Sequence, residues 1–193
     1  MSRMVMKTSF YTREELKEIG FAAVGRNVLI SRKCSIYAAE KMTLGDNIRI
    51  DDFCILSGKI EMANYIHVSA YAALYGGAGI KVSNFCNISA RVTLWSTSDS
   101  FSGEHLVSPL VPPELTNVIR KPIILHDFVT LGSGVTVLPG VVFAEGTAVG
   151  ACTLVTKSTK QWSIYTGTPA RFFKKRSESM KSLSEKFLSK EEK

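Results

Sequence analysis

The stretch of sequence that decides the fold runs from residue 125 to residue 155 and reads LHDFVTLGSGVTVLPGVVFAEGTAVGACTLV. Every sixth residue in this stretch is apolar, namely Leu125, Leu131, Val137, Phe143, Val149 and Val155. The same spacing recurs upstream in four triplets, which are Val24, Ile30 and Ile36, Leu44, Ile50 and Leu56, Met62, Val68 and Leu74, and Val82, Ile88 and Leu94. A period of six fits neither an amphipathic helix nor a simple alternating strand. It predicts short strands joined by sharp turns and wound as a coil of triangular section, with three hexads per turn.

The lengths of the coils locate the irregular parts of the chain. Coils begin at residues 24, 44, 62, 82, 125 and 143, and every excess over 18 residues follows the third hexad of its coil. All insertions are therefore predicted to lie along one edge of the prism, including a long excursion at 97–121. A regular scaffold whose irregularities are stacked on one edge indicates a functional surface.

Both ends of the chain carry helical signals. Thr12 with Glu15 three residues later is typical of a capping box, and Gly20 is a suitable C-terminal stop. Near the C-terminus, an apolar stripe at helical spacing consists of Met180, Leu183, Phe187 and Leu188. A solenoid needs its exposed ends covered, so these helices are expected to be end caps. The predicted organisation is one all-β domain over 1–193, with an N-terminal cap at 1–23, the β-helix at 24–160 and a C-terminal cap at 161–193.

Composition sets the broad class of protein. The 193 residues are 45% hydrophobic and 21% charged, which is typical of a globular domain and unlike a disordered chain. No apolar run approaches the roughly 18 residues of a membrane span, and the N-terminus lacks the apolar stretch of a signal peptide. We therefore expect a cytoplasmic protein without membrane insertion. The net charge of +7 suits phosphate-bearing ligands, and because no nucleic-acid-binding motif accompanies it, nucleic acid is set aside as a partner.

Two C-terminal segments carry a family resemblance. LGSGVTVLPGVVFAEGTAVGACTLVTK at 131–157 and YTGTPARFFKKR at 165–176 resemble the closing coils of hexapeptide-repeat acyltransferases. The resemblance implies a single-stranded left-handed parallel β-helix, a homotrimer, and acyl-CoA bound between subunits. Within that superfamily, NISARVTLWSTSDSFSGEHL at 87–106 is similar to the N-acyltransferases of nucleotide-linked 4-amino-4,6-dideoxy sugars, as in anthrose biosynthesis. This narrower resemblance implies acetyl-CoA as co-substrate, a nucleotide-linked amino sugar as acceptor, and a role in surface polysaccharide synthesis.

The resemblance also implies a catalytic pair. Asp99 matches the proposed base of that group, and Ser89, ten residues earlier, matches a serine of its active site. Many sugar O-acetyltransferases of the superfamily instead carry a histidine at the start of this loop. A hydroxyl needs an imidazole base near neutral pH, whereas an amine is nucleophilic once it has lost its ammonium proton. Asp99 without a histidine therefore favours N-acylation by direct attack.

Two other functions remain open from the sequence. One is a sugar O-acetyltransferase, for which His105 and His126 are the runner-up bases. The other is a non-catalytic β-helix that only binds ligands.

No metal is expected, because no CxxC pair exists and no two histidines have the spacing of the zinc site in hexapeptide-repeat carbonic anhydrases. The inward repeat positions of Cys34, Cys54 and Cys86 predict small core residues rather than redox groups.

Further site residues come from turns and charges. The resemblance implies coenzyme A contacts at Ser133, Gly134, Gly150 and Ala151, and Lys157 is a candidate for its phosphates. The basic cluster Arg171, Lys174, Lys175 and Arg176 is a second candidate for those phosphates. Gly76, Gly77 and Phe101 lie in segments inserted on the functional edge and are candidates for contacts with the sugar nucleotide. The same glycines also suit tight corners of the coil, whatever their role in binding.

Overall fold

Short strands that stack from coil to coil make up most of the chain. A computed structural model describes residues 8–191, within which the helices are α1 (Arg13–Ile19) and α2 (Ser179–Glu191) and the 3₁₀ turns are Ala39–Lys41 and Pro113–Leu115. The strands are β1 (Ala23–Val24), β2 (Val28–Ile30), β3 (Ser35–Tyr37), β4 (Met42–Leu44), β5 (Ile48–Ile50), β6 (Ile55–Met62), β7 (Ile66–Val68), β8 (Ala73–Val82), β9 (Asn87–Ile88), β10 (Thr93–Trp95), β11 (Thr97–Asp99), β12 (Val118–Arg120), β13 (Ile123–Leu125), β14 (Thr130–Leu131), β15 (Thr136–Val137), β16 (Val142–Phe143), β17 (Ala148–Val149), β18 (Leu154–Val155), β19 (Ser163–Thr166) and β20 (Arg171–Lys175). No helix within residues 8–191 is long and apolar enough to cross a bilayer.

The strands form three faces, one for each hexad of a coil. Face A pairs its anchors in parallel through Val24, Leu44, Met62, Val82, Leu125 and Phe143. Face B does so through Ile30, Ile50, Val68, Ile88, Leu131 and Val149. Face C does so through Ile36, Leu56, Leu74, Leu94, Val137 and Val155. The predicted left-handed parallel β-helix is confirmed, and each anchor lies opposite the anchor that the period of six assigns to it.

The core is the stack of inward-pointing anchors. Sixteen of the eighteen anchors are buried, and Val24 and Ile36 pack half-buried against them. Burying one such aliphatic side chain stabilises the fold by roughly 1.5–3 kcal/mol. Cys34, Cys54 and Cys86 are also buried in this stack, as predicted. Burial raises the pKa of the Cys34 and Cys86 thiols to about 12 and that of Cys54 to about 11.

The corner between faces A and B, called corner A–B, carries a column of aromatic rings. The corner residues have positive φ, and those with aromatic side chains are Tyr65, Phe85 and Phe128 in three successive coils and Trp162 two coils further, beyond Gly146. Left-handed backbone disfavours such side chains by roughly 1–2 kcal/mol per residue. Stacking offsets part of this, because the Tyr65 and Phe85 rings lie 4.7 Å apart and the Phe85 and Phe128 rings 5.4 Å apart.

The insertions lie on one edge, as predicted from the coil lengths. This edge, corner C–A, follows each third hexad and carries the 3₁₀ turn Ala39–Lys41, the bend within β8 and the excursion at 97–121. The excursion begins and ends as an antiparallel ribbon of β11 and β12. It therefore projects from the prism on a defined stem.

The N-terminal helix confirms the capping prediction. Thr12 and Glu15 form a reciprocal capping box, and Gly20 ends α1 in the left-handed conformation with φ of 85°. Leu16 is buried in the core, and Glu15 pairs with Arg32 of the first coil at 2.7 Å. The helix is thus fixed to the end of the solenoid by both packing and charge.

The C-terminal region differs from the predicted end cap. β19 continues face B as a further rung, so the solenoid has about seven turns, and β20 then folds back on β19. Helix α2 lies along corner A–B: Phe187 packs edge-on against Tyr65, and Lys181 lies 5.1 Å from the Trp162 ring centre. Its 13 residues, about 20 Å long, match the length of the aromatic column. Leu183 remains 63% exposed, so the apolar stripe is only partly covered.

Candidate active site

A cavity of about 820 Å³ lies beneath the excursion at corner C–A. Its walls are Trp95, Thr97, Ser98, Asp99, Phe101, Val107, Ser108, Pro109, Val111, Pro113, Thr116, Val118, Arg120, Thr136 and Leu138. Most of these side chains are apolar. Five of the others carry hydroxyl groups, and the charged residues are Asp99 and Arg120, so the wall holds one carboxylate and one guanidinium.

The β11–β12 ribbon positions both charged groups. Asp99 lies opposite Val118, and Thr97 lies opposite Arg120. Because side chains alternate along a strand, these four residues share one face of the ribbon, and all four line the cavity. Ser98 and Ile119 pair on the other face, where Ile119 is 44% exposed and Ser98 also borders the cavity. Within residues 8–191 neither Asp99 nor Arg120 forms an ion pair.

The base of the excursion is rigidly fixed. Ser96 is fully buried, and its Oγ donates to the Tyr75 carbonyl at 2.8 Å and accepts from the Ala78 N–H at 2.9 Å. The Lys121 N–H donates to the Ser96 carbonyl at 3.0 Å, so the two ends of the excursion meet at one residue. Trp95 lies in the cavity wall and stacks on Tyr75, with ring centres 4.2 Å apart and planes at 12°. The Trp95 ring, fixed by this stacking, therefore faces the cavity.

Ser89 lies elsewhere on the same chain. It follows face B, at corner B–C, and is half-buried. The Asn87 side-chain amide donates to its Oγ at 3.1 Å. Face C, which spans residues 92–96 in this coil, separates it from Asp99 by roughly 13 Å at the usual rise per strand residue. The two predicted catalytic residues are therefore not brought together within one subunit.

Corner B–C does bring Ser89 together with most of the predicted coenzyme A contacts. These stacked corner residues are Ser89, Ser133, Gly134, Gly150 and Ala151. The Gly134 N–H donates to the Ala90 carbonyl, and the Cys152 N–H donates to the Ser133 carbonyl, each at 2.9 Å. Lys157 follows face C and lies at corner C–A instead, so it is one face away from these turns. The period of six already predicts this separation, because Lys157 follows a third-hexad anchor and the residues of corner B–C follow second-hexad anchors.

The two predicted substrate glycines lie beside the cavity rather than in its wall. A Cβ on Gly76 would come within 2.4 Å of the Lys59 carbonyl oxygen, and one on Gly77 within 3.0 Å of Thr97. The close approach of successive coils therefore explains both glycines. Phe101 does line the cavity and is 93% exposed.

No histidine lines the 820 Å³ cavity, within the part of the chain that the structure describes. His105 is exposed on the excursion. His126 lies at corner A–B, where it lines a separate cavity of about 300 Å³ with Asp127 and Glu145. His67 lies on face B with its Nε2 2.8 Å from an Asp51 carboxylate oxygen. The geometry thus favours Asp99 over both runner-up bases.

The basic cluster near the C-terminus divides into two roles. Arg176 donates to the carbonyls of Phe128 at 2.9 Å and Gly146 at 3.0 Å, and burial lowers its pKa from the usual arginine range. It is therefore engaged in holding β20 and α2 against the coils. Arg171, Lys174 and Lys175 are exposed along β20 and remain candidates for anionic ligands.

Sequence reasoning missed three residues of this region. Arg120 and Trp95 line the cavity, and Asn87 contacts Ser89. Asn87 had a usable signal, because it lies two positions before Ser89 and so points to the same side of the strand. Arg120 had no such signal in the sequence, since its place depends on how the two halves of the excursion pair.

Residues 8–191 contain no group of three or more His, Cys, Asp and Glu side chains that could hold a metal ion.

Known proteins resemble this chain over most of its length. No family model matches the sequence. The dTDP-4-amino-4,6-dideoxy-D-glucose acyltransferase of Escherichia coli is 37% identical over 176 residues, which is 90% of this chain and 92% of that protein. AntD, an N-acyltransferase from Bacillus cereus whose crystal structure holds dTDP and coenzyme A, is 46% identical with a TM-score of 0.93, covering 95% of this chain and all of the other.

More distant relatives are similar in fold or in part of the sequence. A hexapeptide-repeat acetyltransferase from Vibrio cholerae is similar in structure at a TM-score of 0.61 and 19% identity, over 86% of this chain and 77% of that one. A putative lipopolysaccharide biosynthesis O-acetyl transferase of Escherichia coli K12 is 26% identical over 145 residues, covering 73% of this chain and 72% of that protein.

Proposed function

The chain belongs to the family of dTDP-4-amino-4,6-dideoxyglucose acyltransferases, and from this premise we propose that it transfers the acetyl group of acetyl-CoA to the C-4 amino group of a dTDP-linked 4-amino-4,6-dideoxy sugar. The observation that carries the proposal is the Asp99 carboxylate in a cavity with no histidine in its wall, within the described residues. A solved AntD structure holds coenzyme A and dTDP-4-amino-4,6-dideoxyglucose together, which supports this acceptor.

The reaction requires a proton acceptor but no covalent intermediate. The sugar amine attacks the thioester carbonyl carbon, a C–N bond forms, the C–S bond breaks, and coenzyme A leaves as the thiol after taking up a proton. Asp99 accepts the proton that the nitrogen loses, directly or through water. Cys34, Cys54 and Cys86 are unsuited to forming an acyl-enzyme, because they are buried and their raised pKa values keep them protonated.

Ser89 supplies the second polar group of the site. Its Oγ already accepts a hydrogen bond from Asn87, so its own proton is directed to another acceptor. The developing oxyanion of the thioester is such an acceptor, and a donor aimed at it stabilises the transition state. The AntD structures include variants of one serine and one aspartate that are ten positions apart, which is the separation of Ser89 and Asp99.

A site that uses both Ser89 and Asp99 takes them from two subunits. Corner B–C presents Ser89 and the coenzyme A turns, whereas the excursion presents Asp99. The excursion also exposes large apolar side chains, with Phe101 at 93% and Leu110 at 92%. Such a patch is typical of an interaction surface. We therefore place the excursion of one subunit on corner B–C of the next, in a closed homotrimer.

The substrates place the enzyme in the cell. Acetyl-CoA and nucleotide-linked sugars are produced in the cytoplasm, so the reaction belongs there. The product is an activated N-acyl amino sugar, which a glycosyltransferase can add to a surface polysaccharide. A polysaccharide role is consistent with the lipopolysaccharide O-acetyl transferase among the relatives.

The test is an acceptor panel with acetyl-CoA and detection of the released thiol. We expect turnover with dTDP-4-amino-4,6-dideoxyglucose and none with the matched dTDP-6-deoxyglucose, which has a hydroxyl at C-4. Turnover of the hydroxyl sugar alone would establish O-acetylation, and turnover of neither, with ligand binding retained, would favour a binding module.

Light scattering tests the proposed homotrimer. It should give three times the 21.2 kDa chain mass, and a monomer would contradict the shared site.

A further inference from the structure

Arg120 is the cation of the cavity and has no role in the reaction described above. We propose that Arg120 binds the phosphate attached to the sugar, and that its spacing from Asp99 selects an amine at C-4 of the hexose. The inference rests on the proposed function for the identity of the acceptor. Its first test, described below, depends on nucleotide binding alone.

The spacing between the two charges follows from strand register. Asp99 lies opposite Val118, and Arg120 is two residues further along the same strand on the same face. Such diagonal neighbours in an antiparallel pair are roughly 7–8 Å apart. The two side chains are exposed and form no ion pair with each other within the described residues. Both are therefore available to opposite charges on one ligand.

A nucleotide-linked 4-amino sugar carries charges that fit this pair. Its amine and its anomeric diphosphate are at opposite ends of one pyranose ring, whereas an amine at C-3 is nearer to the diphosphate. A guanidinium binds phosphate oxygens in bidentate fashion, and a carboxylate binds an ammonium or amine. The apolar wall between them, including Val118, suits a sugar that lacks its 6-hydroxyl group.

The neighbouring cation provides a matched control. Lys121 follows Arg120 directly but does not line the cavity, and its side chain passes beside Gly140, where an added Cβ would lie 3.0 Å from the Lys121 Cδ. Arg120→Gln and Lys121→Gln remove the same charge from adjacent positions. A general loss of positive potential would affect both variants, whereas a phosphate contact would affect only Arg120→Gln.

The first experiment measures dTDP and dTMP binding to the intact protein by calorimetry. Wild type should bind dTDP more tightly than dTMP, since dTMP lacks the sugar-proximal phosphate. Arg120→Gln should weaken dTDP binding about 10- to 100-fold and leave dTMP within about threefold, as expected for a hydrogen-bonded charge. Arg120→Lys should have an affinity for dTDP between those of wild type and Arg120→Gln. Lys121→Gln should have the affinity of wild type. Coenzyme A binding reports whether each variant is folded.

Two results would overturn the assignment. One is unchanged dTDP binding in Arg120→Gln, and the other is a wild type that does not distinguish dTDP from dTMP.

The second experiment compares kcat/KM for dTDP-linked 4-amino and 3-amino sugars. The ratio of the 4-amino value to the 3-amino value should decrease toward one in Arg120→Gln. An unchanged ratio contradicts selection by spacing. If no amino sugar is acylated but dTDP binding depends on Arg120, the proposed function fails while the phosphate contact stands.

Discussion

At the scale of single residues, the choice of acceptor depends on which group faces the attacking atom. The wall of the cavity offers Asp99 and no histidine, within the described chain. A neutral amine is already nucleophilic and gives up a further proton only as the C–N bond forms, whereas a hydroxyl needs a base near neutral pH to take its proton during the attack. A carboxylate in hydrogen-bonding reach is sufficient for the first task.

Replacing Asp99 with Asn tests the role of this carboxylate. The change keeps the size of the side chain and removes the proton acceptor, so kcat should fall about 10²- to 10⁴-fold. Coenzyme A affinity should change little, because the predicted coenzyme A turns lie at corner B–C. Steady-state kinetics and calorimetry measure the two effects. His105→Ala and His126→Ala are the controls and should stay within about threefold of wild type. Loss of activity in either, with Asp99→Asn still active, would make histidine the base and favour O-acetylation.

The four cysteines should divide by reactivity. A thiolate is the reactive form, and burial keeps Cys34, Cys54 and Cys86 protonated, with pKa values of about 12, 11 and 12. Cys152 is exposed at corner B–C beside Gly134. At pH 8 an alkylating reagent should therefore modify one thiol in the native protein and four after denaturation. Mass spectrometry identifies the sites.

Bound coenzyme A provides a further check on the same labelling. Because Cys152 directly follows the predicted contact Ala151, saturating coenzyme A should slow its alkylation. Cys152→Ser should abolish labelling of the native protein and serves as the control. Rapid native labelling of Cys34 or Cys86, or a Cys152 rate indifferent to coenzyme A, would contradict the packing or the proposed site, respectively.

At the scale of elements, the period of six determines strand pairing because only one register places every anchor inside. Shifting one strand by a residue would turn its anchors outward, so burial and register are tied together. This is why coil starts such as Leu44 and Val82 could be predicted from the sequence. The position of α2 could not, because an apolar stripe such as Leu183 and Phe187 shows which side of a helix is apolar and not which surface it covers.

The candidate site likewise has one part that the period of six predicts and one part that it does not. Ser89 follows a second-hexad anchor and Asp99 a third-hexad anchor, so their separate corners were implicit in the sequence. Arg120 became a site residue only through the pairing of β11 with β12. That pairing depends on contacts within an irregular loop, where no periodic pattern fixes the register.

Helix α1 should respond to acid through Glu15. Its hydrogen bond from Arg32, together with the backbone bond at Thr12, lowers the pKa of Glu15 to about 2. A carboxyl group whose folded pKa is lowered stabilises the fold above its unfolded pKa, near 4.5, and this contribution is lost as the pH falls toward 2. Melting temperature should therefore depend more weakly on pH over this window in Arg32→Gln than in wild type. The matched exposed variant Arg13→Gln should keep the wild-type slope, and equal slopes in all three proteins would contradict the coupling.

At the scale of the whole molecule, the solenoid separates two half-sites by one face. Corner B–C presents Ser89 with the predicted coenzyme A turns, and corner C–A presents the excursion with its carboxylate, guanidinium and apolar side chains. Because the faces are rigid stacks of strands, no bending within one chain can bring these corners together. Assembly is therefore what completes the proposed site, and activity should depend on how subunits are combined.

Mixed assemblies of two inactive variants test this dependence. Ser89→Ala and Asp99→Asn should each be impaired alone, because every interface then lacks one group. Coexpressed in equal amounts, they should form some interfaces that combine Ser89 from one chain with Asp99 from the other. Random mixing in a closed ring would restore about a quarter of the wild-type sites. Thiol release by the purified mixed assembly measures the recovery, and the same two variants mixed after separate purification, before subunits exchange, provide the baseline. Recovery no greater than this baseline would mean that both residues act within one chain, which would require the excursion to fold back across face C.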